Sequence, residues 1–179
     1  YRAMETALDL SRIYRPVPFT SEVCVSLDDV PDQLAHDNTD MQPPYQRGSV
    51  WTVDQQEAFM GHLLQGGEVL PIVFHRVPES GQAEVLDGKQ RLEAMLAWLG
   101  GKVAARLDDG RRVFIGDLPT RTRPSGETCV VGLMRVTVRF RYVNLPWDQR
   151  VRFYVRLNSA GTPHTQEQLL LAMAARPRQ

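Results

Sequence analysis

The chain is poor in the residues that build metal centres and covalent crosslinks. It has two cysteines in 179 residues, Cys24 and Cys129, far apart and outside any Cys-x-x-Cys pair. Such spacing argues for reduced thiols and against a disulfide framework or half a zinc site. The four histidines, His36, His62, His75 and His164, show no His-x-x-x-His spacing, which argues against a dedicated transition-metal centre. No apolar run approaches the ~20 residues that cross a bilayer, and the first residues lack the apolar core and cleavage site of a secretory signal. A cytoplasmic protein with no membrane partner is the expectation.

Net charge is also absent, since 21 basic residues balance 21 acidic ones, but the two signs are unevenly placed. Residues 1–118 hold 11 Lys/Arg against 18 Asp/Glu, and residues 119–179 hold 10 against 3. The basic C-terminal third is either an electrostatic footprint for nucleic acid or the partner of the acidic remainder within one fold.

What the chain does contain is 42% hydrophobic and 23% charged residues, the composition of a globular protein, at a length suited to one core. Residues 1–19 read as an N-terminal arm or helix with a Pro-punctuated end, and residues 20–179 as a single domain. Strands are predicted at 22–27, 70–76, 83–86 and 136–142. Thr52 and Gln55 fit a capping box for a helix that Gly66-Gly67 stops. Asp108-Asp109-Gly110 marks a short hairpin, Pro146 opens a helix, Thr165 caps the last one, and residues 119–126 read as a mobile loop. In 136–142, Arg139 and Arg141 alternate with Val138, Phe140 and Tyr142, which places the arginines on the solvent face.

The chemistry concentrates at Asp87-Gly88-Lys89-Gln90-Arg91, where an apolar strand gives way to a helix carrying Leu92, Met95, Leu96 and Leu99. A helix N-terminus presents unpaired amides and the positive end of its dipole. Gly88 lets a phosphate approach the main chain there, and Lys89 and Arg91 supply charge. The plain alternative is an ordinary Asp-Gly turn. Asp87 either holds Mg²⁺ or caps the helix. Upstream, Tyr45-Gln46-Arg47 follow two prolines, which favours an extended, exposed presentation. Arg47 then suits phosphate, Gln46 a water or base edge and Tyr45 base stacking, unless Tyr45 is core and Arg47 an ion-pair partner. Asn158 and Ser159 form either a pocket rim or a helix C-terminal turn.

Residues 43–51 (Pro-Pro-Tyr-Gln-Arg-Gly-Ser-Val-Trp), 70–74 (Leu-Pro-Ile-Val-Phe), 84–96 around Asp-Gly-Lys-Gln-Arg, and 153–169 beginning Phe-Tyr-Val-Arg-Leu-Asn occur in this order. Together they resemble the N-terminal domain of GmrSD-type restriction systems over roughly residues 20 to 170. Lys89 stands where that family usually has glutamine. The resemblance implies an α+β, ParB/sulfiredoxin-like fold with a mixed small sheet and flanking helices. It also implies a module of DNA defence or DNA sensing that binds and hydrolyses a nucleoside triphosphate with Mg²⁺. In that scheme Tyr45, Arg47, Gly88, Lys89, Arg91 and Asn158 bind nucleotide, Asp87 places the metal, and Gln46 or Gln90 positions water. Duplex DNA contacted by Arg135, Arg139 and Arg141, and a separate nuclease or effector subunit, are the expected partners. Two alternatives remain: a metal-dependent nuclease using Asp87-Gly88-Lys89, which needs a further carboxylate such as Glu84 or Glu79, and a non-catalytic DNA-binding or partner-regulating module.

Overall fold

The computed structural model describes residues 19–46, 48–159, 174 and 175. Residues 1–18, all but the last residue of the arm expected at 1–19, lie outside it, as do Arg47 and the helix expected from Thr165.

Four strands form the main sheet in the order β1-β8-β2-β3, with β1 at Phe19–Ser26, β2 at Ile72–Arg76, β3 at Ala83–Asp87 and β8 at Thr137–Val143. β1 and β8 are antiparallel, β8 and β2 parallel, and β2 and β3 form an antiparallel hairpin. The sheet is therefore mixed, with helices against it, as expected of an α+β fold. Alternation sorts the side chains onto two faces. Val138, Phe140 and Tyr142 of β8, Ile72 and Phe74 of β2, and Ala83 and Val85 of β3 belong to the larger core. Leu34 of α1 (Val30–His36), Met60 and Leu63 of α2 (Val53–Leu64), and Leu92, Met95 and Trp98 of α3 (Lys89–Leu99) pack in the same cluster. The opposite face presents Val73, Leu86 and Val143 to Val151 and Tyr154 of α4 (Trp147–Ser159), with Tyr45 wedged among them.

Local signals account for the boundaries. Thr52 and Gln55 form the reciprocal capping box of α2, and Gly66, at φ 82°, lies just beyond its end. Buried Glu57 of α2 accepts from Arg106, Arg112 and the Ala104 amide, tying on the small hairpin of β4 (Ala105–Arg106) and β5 (Arg112–Val113). The hydrogen bond from Arg112 is the main reason its carboxyl stays below the ordinary range despite burial. The segment 119–126, read as a mobile loop, is instead part of a two-stranded ribbon of β6 (Thr120–Thr122) and β7 (Thr128–Val130). β6 is exposed throughout, so it carries no hydrophobic alternation for sequence reading to detect.

The outer edge of β3 is covered rather than open. Asp40 donates its amide to Ala83 O (2.7 Å) and accepts from the Val85 amide (3.1 Å), and the Gln46 side chain reaches Val85 O (2.9 Å) and Leu86 O (3.2 Å). The proline-flanked segment is thus laid beside the strand that ends in Asp87.

Candidate functional site at the β3–α3 junction

β3 ends at Asp87, Gly88 turns the chain, and α3 begins at Lys89. Gly88 sits at φ 92°, ψ 13°, and a Cβ there would lie 2.6 Å from Ile72 Cδ1, so both conformation and space require glycine. No side chain caps α3. Asp87 does not take the capping role open to it in the sequence, because Gly88 occupies the N-cap position and the Asp87 carboxylate accepts from Arg91 Nη2 at 2.7 Å.

The three polar side chains of the first turn each anchor a different segment. Lys89 is 5% exposed; its ammonium donates to Gln42 Oε1 and lies 3.9 Å from Glu93. Burial lowers its pKa, opposed by Glu93 and Asp40. Gln42 in turn donates to Gln46 O at 3.0 Å. Gln90 Oε1 accepts from the amides of Val50 (2.9 Å) and Trp51 (3.0 Å). Arg91 donates to Leu70 O and, at 3.4 Å, to Pro71 O, besides its ion pair with Asp87. Burial lowers the Arg91 pKa and Asp87 supports it. Residues 42–46, 50–51 and 70–71 are thereby gathered round the start of α3. The basic heads expected to face a ligand are held by protein acceptors, and the motif works first as a clamp on its own loops.

Arg91→Ala is therefore expected to lower stability by about 2 kcal/mol, because it strands Asp87 and two carbonyls. In a domain of this size that is a fall in Tm of roughly 4–8 °C, read from thermal melts; an unchanged Tm would contradict the clamp.

Tyr45 is a correction to the sequence reading: it is 2% exposed, its hydroxyl donates to Glu84 Oε2 at 3.1 Å, and its ring packs on Trp147 and Tyr154. The flanking prolines do not keep the ring outward, so it is a core residue and not a stacking platform. Arg47 lies outside the described residues, and the side chain of Asn158, at the end of α4, is likewise not described. Sequence reasoning missed Gln42 and Arg150. Arg150 Nη1 donates to Glu84 Oε2 at 2.7 Å, and Glu84 lies opposite His75 across the hairpin. Glu84 shares its strand face with Leu86, as alternation predicts, and points away from Asp87. Among the described residues no three His, Cys, Asp or Glu side chains converge as a metal cluster.

His75 is fully buried, and its Nδ1 accepts from the Leu145 amide at 3.2 Å. Burial, then Arg150, pushes its pKa down to about 4. Its unfolded value is near 6.5, so the unfolded chain takes up a proton first as pH falls. The His75 contribution is fully present above pH 6.5 and is lost between 6.5 and about 4. Tm is expected to fall across that window in the parent and to flatten in His75→Gln; an equal slope in both would contradict the assignment.

The arginines expected to meet DNA differ in their surroundings. Arg135 is exposed and Arg139 half-buried on β8, while Arg141 is ion-paired to Glu22 of β1 at 2.8 Å. The strand alternates as predicted, but at Arg141 pairing with the acidic part of the chain is realised.

The family described as GmrSD restriction endonuclease, N-terminal domain, matches residues 32–175. The chain belongs to that family. The match takes in both the proline-flanked segment and the β3–α3 junction. No curated protein matches the chain. Among solved structures, it is similar to the C-terminally truncated chromosome-partitioning protein ParB of Caulobacter crescentus complexed with CTP-gamma-S. The TM-score is 0.43 at 12% identity, over 86% of this chain and 71% of that one. No helix among the described residues is long and apolar enough to cross a membrane.

Proposed function

We propose that this GmrSD N-terminal domain binds a nucleoside triphosphate at the β3–α3 junction and hydrolyses it, as the nucleotide-responsive part of a DNA-defence system with a nuclease or effector partner. The carrying observation is an uncapped helix N-terminus at a glycine that admits no Cβ, surrounded by three segments held to it by the motif's own side chains. The first-turn amides and Gly88 backbone are the primary phosphate donors in this reading. Arg91 adds charge and Lys89 holds the Gln42 loop, while Arg47 and Asn158 keep in this reading the nucleotide-binding roles expected from the sequence.

One Asp87 oxygen accepts from Arg91, and the other has no partner among the described residues at a partly exposed position, which fits a hard cation held chiefly by phosphate and water. Mg²⁺ would supply neutralisation of phosphate charge there. Gln46, whose amide nitrogen is fixed by two β3 carbonyls, keeps its Oε1 for orienting water. Gln90 is better used as the anchor of residues 50–51 than as a water-positioning group. The isolated-nuclease alternative is disfavoured because Glu84 is engaged with Arg150 and Tyr45.

Titration with each of the four ribonucleoside triphosphates and Mg²⁺, with phosphate release followed with and without duplex DNA, tests the reading. Binding and release support it, binding to none overturns it, and DNA cleavage by the domain alone restores the nuclease alternative.

DNA contact through exposed Arg135, just before β8, and through half-buried Arg139 and Arg141 on β8 is the second reading. Replacing Arg135, Arg139 and Arg141 together by alanine is expected to weaken duplex binding across unrelated sequences and flatten its logarithmic salt slope by roughly two to three units. Tm should move little, since the Glu22–Arg141 pair is at the surface. An unchanged slope removes DNA as a partner of this face.

A further inference from the structure

Three sequence-distant segments meet at one carboxylate on the face of the sheet away from the larger core. Glu84 lies on β3, three residues before Asp87. Its Oε2 accepts both the Tyr45 hydroxyl (3.1 Å), from the proline-flanked segment, and Arg150 Nη1 (2.7 Å), from α4. The Glu84 and Arg150 side chains are 14% and 13% exposed. The arginine also lies 5.2 Å from the Trp147 ring, and Tyr45 packs on Trp147 and Tyr154 of the same helix. A charge-assisted bond in a shielded setting is stronger and more directional than a surface pair. α4 is the helix whose end carries Asn158, and residues 42–46 are the loop that Lys89 holds.

We propose that Glu84 is a positioning residue for the β3–α3 site: it touches no ligand, but locks α4 and the Tyr45 segment to β3 so that the site is assembled before nucleotide arrives. The inference rests on the nucleotide reading above. Preassembly removes an ordering cost from binding, so loosening the lock weakens affinity without deleting a ligand contact. Among the described residues Arg150 Nε has no hydrogen-bond partner, and Glu84 is the carboxylate with which Arg150 pairs.

Glu84→Gln keeps the shape while removing the charge that draws Arg150 and the Tyr45 hydroxyl to one oxygen; Tyr45→Phe keeps the ring packing and the ion pair while removing one bond. Affinities for the four Mg²⁺-nucleoside triphosphates are measured well below each variant's Tm, so that both are essentially fully folded. Glu84→Gln is expected to bind about tenfold more weakly and Tyr45→Phe about threefold. The double variant should be no weaker than Glu84→Gln alone, because both changes break one unit. A purely structural Glu84 would lower Tm and leave affinity within twofold of the parent, which overturns the proposal, as would additive losses. Hydrogen exchange supplies a readout without ligand: Glu84→Gln should speed exchange in residues 42–46 and 150–154 together. Acceleration in one segment alone contradicts the lock. If the parent binds no triphosphate, the nucleotide reading and the positioning role both fall, and the exchange result shows whether a ligand-independent lock remains.

Discussion

Gly61→Ala is expected to abolish the stable fold or remove about 4 kcal/mol or more, the largest effect of any single-methyl change here. In an exposed helix interior the same substitution gains stability, because alanine orders more cheaply than glycine. At Gly61 the new Cβ would lie 1.7 Å from Arg106 O and 2.5 Å from its carbonyl carbon. The obstructing atoms are backbone, so no rotamer change relieves them. β4 would have to retreat from α2, and Arg106 would carry with it the ion pairs to Asp54 (2.7 Å) and buried Glu57 (3.3 Å). Denaturant melts of the purified variant decide this, and a parent-like midpoint would mean that α2 and β4 are not packed as described.

Gly88→Ala is expected to cost about 3 kcal/mol and to remove triphosphate binding. A left-handed residue with a Cβ costs roughly 1–2 kcal/mol, and crowding of Ile72 Cδ1 adds to it. Here the obstruction is the tip of a side chain, so pairing the change with Ile72→Val, which deletes that atom, should recover part of the stability. Binding should stay impaired, since the added methyl also lies 3.2 Å from Arg91 Nη2 and crowds the first turn. Full recovery of both by the second substitution would show that packing alone, and not the geometry of the junction, set the effect.

Much of this framework was legible because short-range rules govern it. Strand β8 declared itself by alternation, α2 by its capping box, and the β3–α3 junction by an apolar run, a glycine and an amphipathic helix. The uses of the motif side chains were not legible, because their partners are remote: Lys89 finds Gln42 47 residues away, and Gln90 finds Val50 40 away. A lysine in a helix's first turn ordinarily reads as a solvated charge, and only the fold of residues 40–46 against β3 buries it. Tyr45 misled for a related reason, since two prolines fix the backbone but not the side of the chain on which the sheet lies. Glu84 was readable as facing away from Asp87, but its two partners lie 39 residues before it and 66 after it.

In this reading phosphate binds the backbone at the start of α3. Amide NMR tests it most directly: ¹⁵N-labelled protein is titrated with Mg²⁺-triphosphate and, separately, with pyrophosphate. The amides of Gly88, Lys89, Gln90 and Arg91 are expected to shift first and furthest with both ligands, and Gly88→Ala to abolish the response. Saturable binding that leaves those four amides unmoved while shifting others would contradict it.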